Sequence, residues 1–163
     1  MIKRILLHLA ALVSLTVSAT ADNDFSLGNA TFSIPEGWTK IAETDGRLTF
    51  TAPDGKQQAT VSLMRFGAAP SFEDFERICS HRYDAEKNGL TQLTLVPEHP
   101  DPHDDNGTFT MSFSGKEEAN DRSFLGLMSF KNKQLITIYV EGIGVNSATN
   151  HESFREFVES LKQ

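Results

Sequence analysis

Residues 124–140, FLGLMSFKNKQLITIYV, decide the architecture. Between 124 and 130 apolar side chains occupy both parities: Phe124, Met128 and Phe130 on one, Leu125 and Leu127 on the other. Residues 135–140 repeat the pattern. Successive side chains of a strand point to opposite faces, so a strand apolar on both lies inside a sheet that is covered on both sides.

Two segments can supply that cover. Phe72, Phe75, Ile78, Cys79 and Tyr83 recur at helical spacing behind Ser71, a good N-cap, with Asp74 where a capping box usually has Glu or Gln and Asn88-Gly89 as the stop. Phe154, Phe157, Val158 and Leu161 form the stripe of a closing helix, with Thr149 and Glu152 as its capping pair. The pattern predicts an α+β fold: a three-layer α/β/α sandwich whose central, mostly antiparallel sheet has about six to seven strands, with one helix on each face.

The remaining strands are read from alternation and turns. Phe32 and Ile34 alternate with Thr31 and Ser33, Pro35-Glu36-Gly37 reverses the chain, and Trp38 opens a return segment. Asp45-Gly46 is a hairpin signal ahead of Leu48 and Phe50, and Pro53-Asp54-Gly55 precedes a further strand at 59–66. These four segments read as one meander. Leu93 and Leu95 begin a later strand, and an acidic, proline-rich loop spans 97–106. Phe109, Met111 and Phe113 alternate with Thr108, Thr110 and Ser112, predicting a strand with one wet face.

The first 21 residues read as a cleavable secretory signal. Lys3 and Arg4 precede an apolar run from 5 to 17, and Ala19-Thr20-Ala21 offers the small-x-small cleavage pattern. Cleavage would leave 142 of the 163 residues, with 13 basic against 22 acidic side chains and a formal charge of −9. That surface argues against nucleic acid as a partner and favours basic protein surfaces. Cys79 is the only cysteine, so no internal disulfide and no lipid anchor behind the signal are expected. Phe supplies 12 of the 15 aromatic residues, which points to a Phe-built core as the source of stability. Together these features predict a single soluble domain at 22–163, in the periplasm or secreted, without a stable membrane anchor.

Few residues suggest chemistry. Residues 98–106, EHPDPHDDN, bring two imidazoles and four carboxylates together, with His99, Asp101, His103 and Asp105 as candidate ligands of a weak Zn²⁺ or Ca²⁺ site. A solvated acidic loop has the same composition and is the plainer reading. No other cofactor is implied. Cys79 sits on a helical apolar stripe and His81 points away from it, so a Cys–His pair would need a distant histidine. No nucleophile elbow, phosphate loop, H-E-x-x-H or C-x-x-C occurs. Trp38 reads as a core plug, with an exposed binding anchor as the alternative. Asn29-Ala30-Thr31 and Asn106-Gly107-Thr108 match the glycosylation sequon. Residues 116–122, KEEANDR, read as a polar hairpin connection, with Lys116, Glu117, Glu118, Asp121 and Arg122 as candidate partner contacts.

The order of elements, with FSIPEGW at 32–38, QQATVSLMRF at 57–66 and FREFVESLK at 154–162, resembles the Mog1/PsbP-like family over nearly the whole of 25–162. The resemblance implies an antiparallel sheet between helices. It also implies a binding role, since most members lack catalytic residues; they include oxygen-evolving-complex subunits, a nuclear transport factor, envelope lipoproteins, secretion adaptors and periplasmic immunity proteins. The expected function is therefore a non-enzymatic interaction protein of the periplasm, in its sharpest form an immunity protein against a basic toxic effector. The alternative is a metal or small-ligand carrier using 98–106, and a less favoured one an enzyme whose site assembles only in three dimensions.

Overall fold

The computed structural model describes residues 23–88 and 92–163; the segment at 1–21 expected to be a signal and Gly89 of the expected helix stop lie outside them. In chain order the elements are β1 (Asp24–Leu27), β2 (Ala30–Ser33), β3 (Thr39–Thr44), β4 (Arg47–Thr51), β5 (Gln57–Arg65), α1 (Phe72–Lys87), β6 (Leu93–Val96), β7 (His103–Asp105) and β8 (Thr108–Glu117). A 3-10 turn (Glu118–Asn120), β9 (Arg122–Lys131), β10 (Gln134–Ile143) and α2 (Ser147–Ser160) complete the chain.

Eight strands form one antiparallel sheet in the order β3-β4-β5-β10-β9-β8-β6, with β7 pairing the start of β8 beside β6. The two doubly apolar segments are β9 and β10, at its centre. Phe130 faces Leu135 across the ladder on one side, and Leu127 faces Ile138 on the other. Phe124, Met128, Phe130 and Leu135 join Phe75, Cys79 and Tyr83 of α1 in one core, whereas Ile136, Ile138 and Val140 join Phe157 of α2 in the other. The three-layer reading holds.

Both helices start where the chain offers a cap, but not both where expected. Ser71 and Asp74 form the capping box of α1, each side chain accepting the other residue's backbone N–H. Hydrogen bonds from the Ser71 hydroxyl and backbone hold the Asp74 carboxyl below its ordinary range. For α2 the expected Thr149/Glu152 pair does not cap: Asn146 does, accepting from Ala148 N–H at 2.9 Å, so the helix begins earlier.

Residues 31–34 do not join the main sheet. β2 pairs instead with β1, a strand the sequence pattern had not marked, through a turn at Gly28 and Asn29 in which Gly28 has φ +64. The hairpin lies over the sheet beside α2. Phe25 meets Phe50 edge-on at 4.9 Å, and Phe32 meets it at 6.0 Å. Thr31 and Lys162 exchange backbone hydrogen bonds of 2.9 and 2.8 Å, tying the hairpin to the end of α2. Trp38 packs edge-on to Phe157 at 5.6 Å in the same core, as a plug should.

A buried polar network fastens α2. Asn150, fully buried, donates to the Ser123 carbonyl at 3.2 Å and hydroxyl at 2.5 Å, and accepts from Gln57 Nε2 at 2.6 Å. Gln57 also donates to Ser153. One residue from each of β5 and β9 is thus locked to the helix.

Candidate functional site

Each cover leaves part of the sheet bare. On its face α1 packs over β6, β8, β9 and the part of β10 that holds Leu135 and Tyr139, and the outward residues of β4 and β5, with Thr137 and Glu141 of β10, lack a helix above them. In register they and Tyr139 form rows: Arg47, Ser62 and Thr137, then Thr49, Thr60 and Tyr139, then Thr51, Gln58 and Glu141. Hydroxyl groups dominate this surface because it is half-covered, too dry for lysines and too wet for leucines.

Where the bare sheet meets α1 a cleft of about 310 Å³ opens, with Arg82 and Glu86 of α1 as one wall. Its floor holds Thr60, Ser62, Thr137, Tyr139 and Glu141, with Arg47 and Arg122 also lining it. Arg82 pairs with Glu86 at 2.5 Å, one helical turn away. The Arg122 Nε–H donates to Glu141 at 2.8 Å, and its terminal nitrogen donates to the Tyr139 hydroxyl at 2.5 Å. Both guanidiniums lie against the Tyr139 ring, Arg82 at 5.3 Å and Arg122 at 6.0 Å from its centroid. Arg122 also stands 4.7 Å from the Phe124 ring.

The electrostatics follow from burial. Burial pushes the Tyr139 phenol up, helped by Glu86, so it stays protonated and keeps an O–H to donate. Burial works against the charge on Arg122, but the hydrogen bond to Glu141 together with the nearby Tyr139, Glu141 and Glu86 outweighs it and raises the guanidinium's pKa. Arg47, exposed at the open end, makes no ion pair among the described residues. Inside a strongly acidic protein, the cleft is a local concentration of guanidinium donors.

The residues singled out from sequence fall elsewhere or only partly here. His103, Asp104 and Asp105 are strand β7 rather than loop, because Asn106 and Gly107, at φ 52 and 84, close a tight hairpin onto β8. His103 comes within 3.7 Å of Asp101, and both are exposed; His99 and Asp105 do not complete the set. Among the described residues no three His, Cys, Asp or Glu side chains gather as metal ligands.

The 116–122 segment is not an exposed loop throughout. Lys116 and Glu118 pair at the surface at 2.9 Å and Asp121 is exposed, but Glu117 is only 5% exposed and lies 3.7 Å from Arg122. Arg122 itself turns into the cleft. Cys79 is buried in the α1 core, where burial pushes its thiol up to about 12, and His81 is exposed on the outer side of the helix. Arg47, Arg82, Tyr139 and Glu141 were not marked from sequence. The one available signal was the small hydroxyl residues alternating with apolar ones in RLTFT and ATVS, where a fully wet face would carry charges.

No protein-family model matches the chain, and no curated protein matches it in sequence. Its coordinates are similar to the solution structure of cyanobacterial PsbP (CyanoP) from Synechocystis sp. PCC 6803, with a TM-score of 0.58 at 17% identity over 82% of this chain and 85% of that one. A crystal structure from Bacteroides thetaiotaomicron VPI-5482 aligns at a TM-score of 0.47 and 15% identity over 86% of this chain and 47% of its own. The fold is thus an antiparallel sheet of seven to eight strands with two helices packed on it. It is a PsbP-like fold, as the sequence resemblance implied.

Proposed function

We propose that this chain is a non-enzymatic binding protein, exported to the periplasm, that recognises its partner through the cleft between α1 and the bare half-sheet. One observation carries the reading. Arg47, Arg82 and Arg122, from β4, α1 and β9, converge on a half-face that neither helix nor hairpin covers. Arginine is favoured at binding hot spots because its planar fork makes several directed contacts at once. The only thiol is buried, which supports a role without covalent chemistry. An immunity protein that neutralises a delivered effector is the sharpest form of the proposal, with the exposed acidic residues of the β7–β8 hairpin available to steer a basic partner.

Affinity capture from periplasmic extract of the native host, with the wild type beside an Arg47→Glu/Arg82→Glu variant, tests the surface. A discrete partner held by the wild type and lost by the variant is expected; equal recovery by both overturns the assignment. Cell fractionation with N-terminal sequencing tests export. The mature chain should begin at Asp22, and an uncleaved cytoplasmic product refutes that part.

A further inference from the structure

We infer that the cleft binds an oxyanion, a carboxylate or phosphate group, held between Arg47 and Arg82 over the hydroxyls of Ser62, Thr137 and Tyr139. The inference rests on the cleft being the recognition site and names what it recognises. Each guanidinium carries five N–H donors in a planar fork. Arg122 spends two of them on Glu141 and Tyr139, and Arg82 is engaged by Glu86 alone, its buried Nε–H having no partner. Arg47 has no acidic partner among the described residues.

The two glutamates in the wall do not cancel this donor surplus. Glu86 is held against Arg82 at 2.5 Å and Glu141 against Arg122 at 2.8 Å, with Glu117 a further 3.7 Å from Arg122, so the carboxylates fix those two guanidiniums in place and none of them pairs with Arg47. Arg47, Ser62 and Thr137 stand in one cross-strand row. Neighbouring strands are about 4.8 Å apart, so the Arg47 side chain can reach an anion seated over that row. Tyr139, one row along and protonated, can donate its O–H to the same group. Donors from β4, β5, α1 and β10 line one recess, and its two carboxylates are taken up by Arg82 and Arg122. A bidentate oxyanion matches that arrangement better than a cation or a neutral sugar.

The test is calorimetric and NMR titration of the purified protein with glutarate, inorganic phosphate and the dipeptide acetyl-Glu-Glu, following the arginine Nε–H resonances. Saturable binding is expected, with shifts at Arg47 and Arg82, weakening as NaCl rises from 50 to 200 mM. Arg47→Gln should reduce affinity about 10-fold or more, since a charge-assisted pair is lost. Because Arg47 is exposed, that variant should fold normally, as circular dichroism will confirm. Saturation by glutarate or phosphate identifies a free small anion, and saturation by the dipeptide alone identifies an acidic segment of a partner. No saturable change with any probe, or unchanged affinity in Arg47→Gln, overturns the inference. If partner capture then survives Arg47→Gln but is lost in the charge-reversed variant, the binding role stands and only the oxyanion chemistry falls.

Discussion

Phe113 on β8 and Gly126 on β9 are register partners, and the Phe113 ring occupies the space in which a Cβ on Gly126 would stand. The arrangement is reciprocal: two residues along, the Phe124 ring fills the space above Gly115. A Cβ at either glycine would come under 3.0 Å from the ring, closer than real Cβ atoms approach. The pair of crossed rings forms the floor on which Arg82 and Arg122 lie, at 6.0 Å from Phe113 and 4.7 Å from Phe124.

Gly126→Ala should therefore destabilise the fold by about 1–3 kcal/mol, the usual cost of overfilling a packed core. Urea unfolding measures it. Adding Phe113→Leu to Gly126→Ala should recover part of the loss, because the clash is with that ring; strictly additive losses would contradict the packing described.

Asn150→Leu should cost about 2–4 kcal/mol, because Gln57 and Ser123 lose a buried partner together. The denaturation midpoint should fall with its slope unchanged. A Gln57→Leu/Asn150→Leu double variant should be less destabilised than the sum of the two single ones.

Stability should decline above about pH 9. Burial raises the Cys79 thiol to about 12, and it raises the Tyr83 and Tyr139 phenols as well. Between the unfolded and folded values the unfolded chain has released protons that the native state still holds, so rising pH favours unfolding. The Cys79 contribution is complete below pH 9 and fades toward 12. Urea midpoints at pH 8, 9 and 10 should fall in that order, and Cys79→Ala should flatten the step from 9 to 10. The native thiol should also resist alkylation at pH 8 and react once unfolded.

Asn132 and Lys133 close the β9–β10 hairpin with φ of 51 and 63, a tight turn whose second position suits glycine. Lys133→Gly should raise stability by about 0.5–1 kcal/mol, the relief of left-handed backbone exceeding the entropy lost. A lower melting temperature for this variant would show the turn to be unstrained.

The sheet centre was legible because β9 and β10 carry apolar residues on both parities, a local pattern with one structural meaning. The Ser71 cap was legible for the same reason. Two hairpins were not. The turns at Gly28-Asn29 and at Asn106-Gly107 overlap matches to a glycosylation sequon, and that reading hid the stronger signal of residues tolerant of positive φ, Gly28, Asn106 and Gly107, between alternating segments. The Thr149/Glu152 pair looked like a cap because sequence cannot show that α2 must start early enough for Asn150 to reach Ser123. The cleft was hidden by long-range order. Arg47, Arg82 and Arg122 meet only because β10 inserts between β5 and β9, and no local window contains that fact.

The same insertion sets a schedule for assembly. β5 and β9 each lack their central neighbour until residues 134–143 exist and are free to pair. Until then the first half of the chain is a three-stranded meander with an apolar, unpaired edge at β5, a state prone to sticking to other strands. Completing the sheet therefore depends on the pairing of β5 with β10, a contact distant in sequence of the kind that slows folding. The place of β10 in the strand order, rather than any local segment, thus decides when the two halves of the sheet can join.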